Sequence, residues 1–337
     1  MKKVSLCSFF CFLCGTVFLA ISVPVSALDS EGQEAKDEGM RLYNIHHSTA
    51  ALAYLEQAAE GGDVEAMYYM GEAERRQRMG SMTRAALNWY LKAADHGDPY
   101  AMLRLFQGGA CVAGDECPEG AEGWREKALA ETLPKAETGD TDAMLALYHI
   151  YRLLDDSGEG VEWLEKAAEA GNPEAQTRLA KNIINGQGWY FFDSSRQNAA
   201  LEWLQAAAKQ NYVPAIVELS EIFVEQGDFD NAWEWGRLGS ELGYVNLRNR
   251  VGWCYLNPEE LEEMSVEGLC PVEQDKVKGW AILRAVVEEV GDRDAKGILE
   301  DNQGVLTSDQ MREAERLSDE LVGRQPELSD FIPRFGY

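Results

Sequence analysis

One turn recurs at seven places along this chain, and its register fixes what surrounds it. The anchors are Gly62, Gly97, Gly139, Gly171, Asn211, Gly243 and Gly291. Eight residues before an anchor stand Tyr54, Trp89, Trp163, Trp203 and Trp235, with Glu131 and Leu283 departing in the third and seventh units. Four residues after it stand Ala66, Ala101, Ala143, Ala175, Ala215, Leu247 and Ala295. Eight residues after it stand Met70, Leu105, Leu147, Leu179, Leu219, Val251 and Leu299. Residues 200–219 show the unit well. Trp203, Leu204, Ala207 and Ala208 share one helical face. Asn211 tolerates the left-handed conformation that ends helices. Pro214 then suits the first turn of a new helix, where its missing N–H costs nothing.

Successive anchors lie 35, 42, 32, 40, 32 and 48 residues apart, and a helical-hairpin repeat needs roughly 34. A small residue lets antiparallel helices approach closely. The aromatic and aliphatic columns are expected to fill the space between neighbouring hairpins. The expected fold is therefore all-α: a solenoid of about seven helical hairpins. Thr307 and Gln310 form a capping-box pair. They open a last helix whose stripe of Met311, Ala314, Leu317, Leu321 and Val322 is expected to cover the exposed end of the array. Residues 29–39 are polar and expected to fray, with the first helix starting near Met40. The tail to Tyr337 is expected to be extended, its aromatics folding back onto the last helix.

The motifs resemble the Sel1-like repeat, a relative of the tetratricopeptide repeat. The matching stretches are Ala66-Met67-Tyr68-Tyr69-Met70-Gly71 and Trp163-Leu164-Glu165-Lys166-Ala167-Ala168-Glu169-Ala170-Gly171. Gly186-Gln187-Gly188 and Asp193 match the loop between a repeat's two helices. The resemblance covers residues 49–299 and is weakest in the third and seventh units. It implies a right-handed α/α solenoid with a concave surface, in proteins that act as non-enzymatic scaffolds, often in bacterial envelopes.

The N-terminus reads as a targeting segment. Lys2 and Lys3 precede a mostly apolar run over residues 4–23, and Val25-Ser26-Ala27 offers small residues for cleavage after Ala27. The rival reading is an uncleaved anchor, since the run is near spanning length; helix-breaking Pro24 and the small-residue site favour cleavage. Leu13 before Cys14 makes a poor lipoprotein site, so no lipid anchor is expected. The chain thus divides into residues 1–27 as signal, 28–48 as N-terminal segment and first helix, 49–300 as solenoid, and 301–337 as capping helix and tail. The expected location is the periplasm or the exterior, with no membrane span left after cleavage.

The net charge of −27 becomes −29 once Lys2 and Lys3 leave. Such acidity argues against nucleic acid and anionic lipid. It suits a basic partner, or solubility alone. Four cysteines follow the signal: Cys111, Cys117, Cys254 and Cys270. In an exported chain an even number suggests disulfides. Pairing of sequence neighbours, Cys111 with Cys117 and Cys254 with Cys270, would close one loop each. Neither pair has metal-site spacing with nearby histidines, so no metal and no cofactor is expected.

The unequal spacings localise function. The extra residues fall in the loops between a unit's two helices, on one edge, and insertions confined to one edge often mark a binding face. The first long loop, 107–123, is glycine-rich and carries Cys111 and Cys117. The second, 185–197, carries Trp189, Tyr190, Phe191 and Phe192. As a consecutive run they cannot all face one way, and exposed aromatics anchor partners; the alternative is that they cover core beneath the loop. The third, 257–278, carries Glu259, Glu260, Glu262, Glu263 and Cys270. Those carboxylates could meet a basic partner or form a solvated face, and they lack the spacing of a calcium loop. His46, His47, His96 and His149 have no nucleophile setting around them.

The reading is a non-enzymatic protein–protein interaction protein. Its first form is an immunity-type inhibitor of a secreted toxic effector such as a phospholipase, a role that Sel1-like repeat proteins fill. The alternatives are an envelope scaffold for a secretion or cell-wall complex, and a cell-wall hydrolase with paired carboxylates. The partner expected is another protein, such as a basic secreted effector.

Overall fold

The computed structural model describes residues 28–107, 120–154, 156–257, 268 and 270–335. The targeting segment, Cys111, Cys117 and Glu259, Glu260, Glu262 and Glu263 lie outside the described residues. Among those described, sixteen helices follow one another and no strand forms. Seven hairpins come first: α1 (Ser30–Asn44) with α2 (Ser48–Glu60), α3 (Val64–Arg76) with α4 (Arg84–Asp95), and α5 (Pro99–Gln107) with α6 (Gly120–Glu137). Then come α7 (Thr141–Leu153) with α8 (Ser157–Glu169), α9 (Pro173–Ile184) with α10 (Asp193–Ala208), and α11 (Val213–Glu225) with α12 (Phe229–Glu241). The last hairpin is α13 (Val245–Leu256) with α14 (Lys276–Val290), followed by α15 (Arg293–Asp301) and the closing α16 (Ser308–Leu321). The chain is an α/α solenoid in which α1 to α15 each pack on their sequence neighbours, while α16 packs back on α14.

The repeated turn has one physical construction. Every anchor has positive φ, from 59° at Asn211 to 99° at Gly139. At Gly62 the N–H donates to Ala59 O (3.0 Å), and the next N–H, of Asp63, donates to Ala58 O (3.1 Å). This paired closure is a Schellman motif, and it recurs at Gly97, Gly139, Gly171, Asn211 and Gly243. The residue that closes one helix also caps the next. Asp63, Asp98, Asp140 and Asn172 accept from the N–H of the alanine three residues on, at 2.7–3.0 Å. That alanine is the small column, buried in all four units. Gly291 closes by a single bond to Val287 O, and Asp292 caps Ala295 in the same way. One short Gly-Asp or Gly-Asn step thus fixes the angle between successive helices.

The aromatic column fills the space between hairpins only in part: Trp163 joins the core, and Trp89, Trp203 and Trp235 pack against it from the margin. Tyr54 is 42% exposed, Trp89, Trp203 and Trp235 are half-buried, and only Trp163, at 8%, is enclosed. The fully buried column lies one residue later, at Leu55, Tyr90, Leu164 and Leu204. One residue is a rotation of about 100°, which turns the indoles to the flank of the core stripe. There, lysines one turn on lie over them: Lys92 Nζ is 3.7 Å from the Trp89 ring centroid and Lys166 Nζ is 4.1 Å from that of Trp163. The Trp-x-x-Lys spacing therefore encodes a cation–π cover on the solvent side.

Two expectations at the chain's ends are corrected. Residues 30–39 do not fray. Asp29 caps α1 through the Gly32 N–H (2.8 Å), and Gly32, Ala35 and Gly39 form a small-residue face. A Cβ on Gly39 would sit 2.9 Å from Leu55, so the glycine permits the α1–α2 approach. At the other end α16 forms with its capping box and packs by Ala314 against α14. The tail does not return to that helix. After Gly323 it crosses to the first units. Ser329 N–H donates to Gly243 O (2.9 Å), Asp330 N–H to Asn44 O (3.3 Å), and Leu328 is buried in the core that holds Leu42 and Tyr43. Met311, Ala314, Leu317 and Leu321 of α16 pack on α14, whereas Val322, expected in the same stripe, ends the helix 39% exposed.

Cys254, buried on α13, is joined to Cys270 with a Cα separation of 5.2 Å, pinning the end of the long α13–α14 connection.

Candidate partner-binding surfaces

The second long loop separates its four aromatics. Trp189, Phe191 and Phe192 are 79%, 78% and 71% exposed, while Tyr190 turns inward against the core of α9–α12. Backbone geometry forces the split. Gly186 and Gly188 have φ of 99° and 82°, and a Cβ on Gly188 would meet the Tyr190 ring at 3.0 Å. The glycine lets that ring lie on the backbone, and the Arg196 guanidinium stands 5.7 Å from its centroid. With Tyr190 fixed inward, its neighbours face solvent. Trp189 and Phe191 meet edge to face at 4.2 Å, forming one apolar knob. Phe192 stands beside it at the N-cap of α10, where its side chain caps nothing.

A cleft of about 440 Å³ opens at the foot of this loop, with Arg152, Lys181, Asn182 and Asn185 on its walls. Lys181 pairs with Glu218, and Arg178 grips Glu174 through two bonds of 2.9 and 2.7 Å. These cations are therefore already answered within the fold. Among the described residues, no group of three or more His, Cys, Asp or Glu gathers to hold a metal.

A second constellation is assembled by the tail. Arg334 pairs with Asp98, whose side chain is 4% exposed. Its guanidinium carbon lies 4.9 Å from the Tyr68 ring centroid and 5.0 Å from that of Tyr100. The Tyr68 hydroxyl donates to the Arg334 carbonyl oxygen at 2.7 Å. Phe335 then packs against Tyr100 (5.6 Å) and His149 (5.0 Å), with the Arg104 guanidinium 4.5 Å over its ring. Arg104 is in turn held by Glu72 at 2.6 Å, and Glu72 also accepts from the Tyr90 hydroxyl at 2.8 Å. Burial pushes the Asp98 carboxyl above its ordinary range, against the opposing pull of Arg334 and the Ala101 N–H. Burial, reinforced by Arg178, Arg152 and Arg104, pushes His149 well below its usual range. It sits in this wall as a neutral ring.

Sequence reasoning located the loop but not this groove. Asp98 stood in the repeated turn and Arg334 in the tail, 236 residues apart. The readable signal was Phe331, Pro333, Arg334 and Phe335 following a helix already complete at its cap.

The Sel1 repeat model matches residues 48–63, 64–98, 144–172 and 173–212. An uncharacterized protein of Neisseria meningitidis serogroup B is 26% identical over 234 residues, covering 69% of this chain and 44% of its own length. This chain therefore spans less than half of that relative. Among solved structures, a protective antigen of uropathogenic Escherichia coli with an SLR fold is 20% identical, covering 86% of this chain and 61% of its own, at a TM-score of 0.45. An immunity protein of Pseudomonas aeruginosa is 16% identical, covering 82% and 89%, at a TM-score of 0.42.

Proposed function

We propose that this chain, which carries Sel1 repeats, is an exported, non-enzymatic inhibitor that binds a basic secreted effector through the knob of its second long loop. Sel1 repeats are typical of a non-catalytic interaction fold, and the partners they imply are proteins. No helix of the described residues is long and apolar enough to cross a membrane. The observation that carries the reading is the exposure of Trp189, Phe191 and Phe192 side by side on one loop. Three large aromatic rings held in water by a fixed backbone have no role in the core, and buried aromatics at interfaces carry most of the binding energy. The net charge of −27 supports a basic partner, steered by long-range attraction. Export and periplasmic location rest on the N-terminal pattern of the sequence, and the inhibitor role on the resemblance described above.

The test is capture from an extract of the chain's own species, followed by affinity measurement on the captured protein. The chain from Leu28 to Tyr337 is compared with a variant carrying Trp189→Ala, Phe191→Ala and Phe192→Ala. One secreted enzyme held by the first and weakened at least about a hundredfold in the variant is expected, since anchor residues cost about 2 kcal/mol or more each. Several envelope components held equally by both would overturn the inhibitor reading in favour of a scaffold. Cell-wall cleavage by the purified chain would overturn it in favour of a hydrolase.

A further inference from the structure

We propose that the pocket formed by Asp98, Tyr68 and Tyr100 is a recognition site for an arginine in an extended segment. The chain's own tail fills it in cis, and a partner segment carrying arginine followed by an aromatic residue takes its place. The pocket shares no residue with the aromatic loop.

Four observations carry it. First, the contacts are those of arginine recognition. A buried carboxylate faces the guanidinium and two tyrosine rings flank it, while the Tyr68 hydroxyl reads the backbone carbonyl that an extended segment leaves open. Second, the next residue is read as well, with Phe335 set between Tyr100, His149 and Arg104. Third, the tail is held from Leu328 to Phe335, but nothing encloses its approach or the space beside it. It arrives through an exposed stretch, 322–327, and an open cleft of about 350 Å³ remains alongside Phe331, Pro333 and Arg334. A bulkier or more basic segment has room there. Fourth, the far walls of that cleft carry Glu65, Asp142 and Glu174. Glu65 answers Lys36, Glu174 answers Arg178, and Asp142 accepts from Asn172. Glu65 and Glu174 are thus already balanced, and it is Asp142, bonded to a neutral amide, together with the chain's net charge of −27 that favours a basic segment over an acidic one.

Asp98 caps α5 through the Ala101 N–H, and Asn172 does the same work in a later unit without a charge. The Asp98 carboxylate has a second task, set by Arg334, as Asp63 has one in pairing with Lys36.

The experiment uses the full chain with a protease site inserted between Gly323 and Arg324, in the exposed stretch. The chain folds with its tail in place and is cut afterwards. The probes are a fluorescent decapeptide of sequence 328–337, the same peptide with Arg334→Ala, and an unrelated serine-glycine decapeptide that keeps only Pro-Arg-Phe at the same positions. After cutting and washing, the chain is expected to bind the tail peptide at least tenfold more tightly than the uncut chain does. The arginine-free peptide is expected to bind at least tenfold more weakly, and the Pro-Arg-Phe peptide within tenfold of the tail peptide. Equal binding by cut and uncut chains, or indifference to the arginine, would overturn the proposal. Failure of the Pro-Arg-Phe peptide to bind would make the tail a permanent strap and overturn it too. An uncut chain carrying Arg334→Ala guards against loss of fold on cutting. Its weakened tail is expected to yield to the tail peptide at least tenfold more readily than the native tail, and no gain would count against displacement.

Discussion

Asp98→Ala is expected to lower the unfolding free energy by about 4 kcal/mol. Two losses combine. Removing the cap of α5 costs about 1 kcal/mol. Breaking a buried ion pair by deleting one partner costs about 3–5 kcal/mol, because the other charge stays behind unpaired. The second loss has a ceiling, since the chain can let its tail go and return Arg334 to water. Asp98→Asn separates the two. Asn caps as well as Asp, as Asn172 does in the fourth turn, so this variant keeps the cap and loses the pair alone. Chemical denaturation of wild type, both variants, Arg334→Ala and the double variant checks this. The cycle is expected to give a coupling energy of about 2 kcal/mol between Asp98 and Arg334, in the range found for contacting residues. A coupling near zero would mean that the pair holds nothing together.

Gly279→Val is expected to cost about 3 kcal/mol, the upper part of the range for overpacking. A Cβ at this position would stand 2.5 Å from the Leu256 nitrogen and 2.6 Å from the Gly252 oxygen. Both are backbone atoms of α13, so no rotamer change relieves the clash and the two helices must part. Gly71 makes a useful contrast. There the Cβ would meet the Tyr90 ring at 2.5 Å, and a side chain can yield, though only by drawing its hydroxyl away from Glu72. Gly291→Ala is the control. Its surroundings are open, and only its φ of 66° opposes a side chain, at about 1–2 kcal/mol. Thermal melts of Gly279→Val and Gly291→Ala check the order. Equal losses would show that helix proximity at Gly279 sets no limit.

The repeats were legible because each unit restates the same local physics. A left-handed anchor, a buried alanine four residues on and an aliphatic four beyond that define a turn and two helices without any distant contact. Even so, the register misled at the aromatic column. Trp89, Trp203 and Trp235 recur as core residues do, yet they stay half-buried on its flank, while Trp163 alone of these tryptophans joins the core. A fixed period tells that a position matters and not which side of the helix it serves. The double use of Asp98, Asp140 and Asn172 as closing and capping residues was also open to sequence reading, since Gly-Asp or Gly-Asn recurs at five of the seven turns. The aromatic loop was half legible. Four consecutive rings could not share a side, but which one turned inward depended on Gly188 and the path of the loop. The groove was not legible. It needs Arg334 to meet Asp98 across 236 residues, and no local pattern records where a solenoid's curvature brings its last segment.

Hydrogen exchange of the intact chain, read by mass spectrometry over residues 326–335, tests the central claim that the groove around Asp98, Tyr68 and Tyr100 is filled by the chain's own tail. The account predicts that the Ser329 and Asp330 amides, bonded to Gly243 O and Asn44 O, exchange at least about a hundredfold more slowly than in the free peptide, as amides that open only with a sub-global unit do. It also predicts that Arg334→Ala removes most of that protection while leaving α9 and α10 unchanged. Exchange at the rate of the free peptide in the unaltered chain would contradict it.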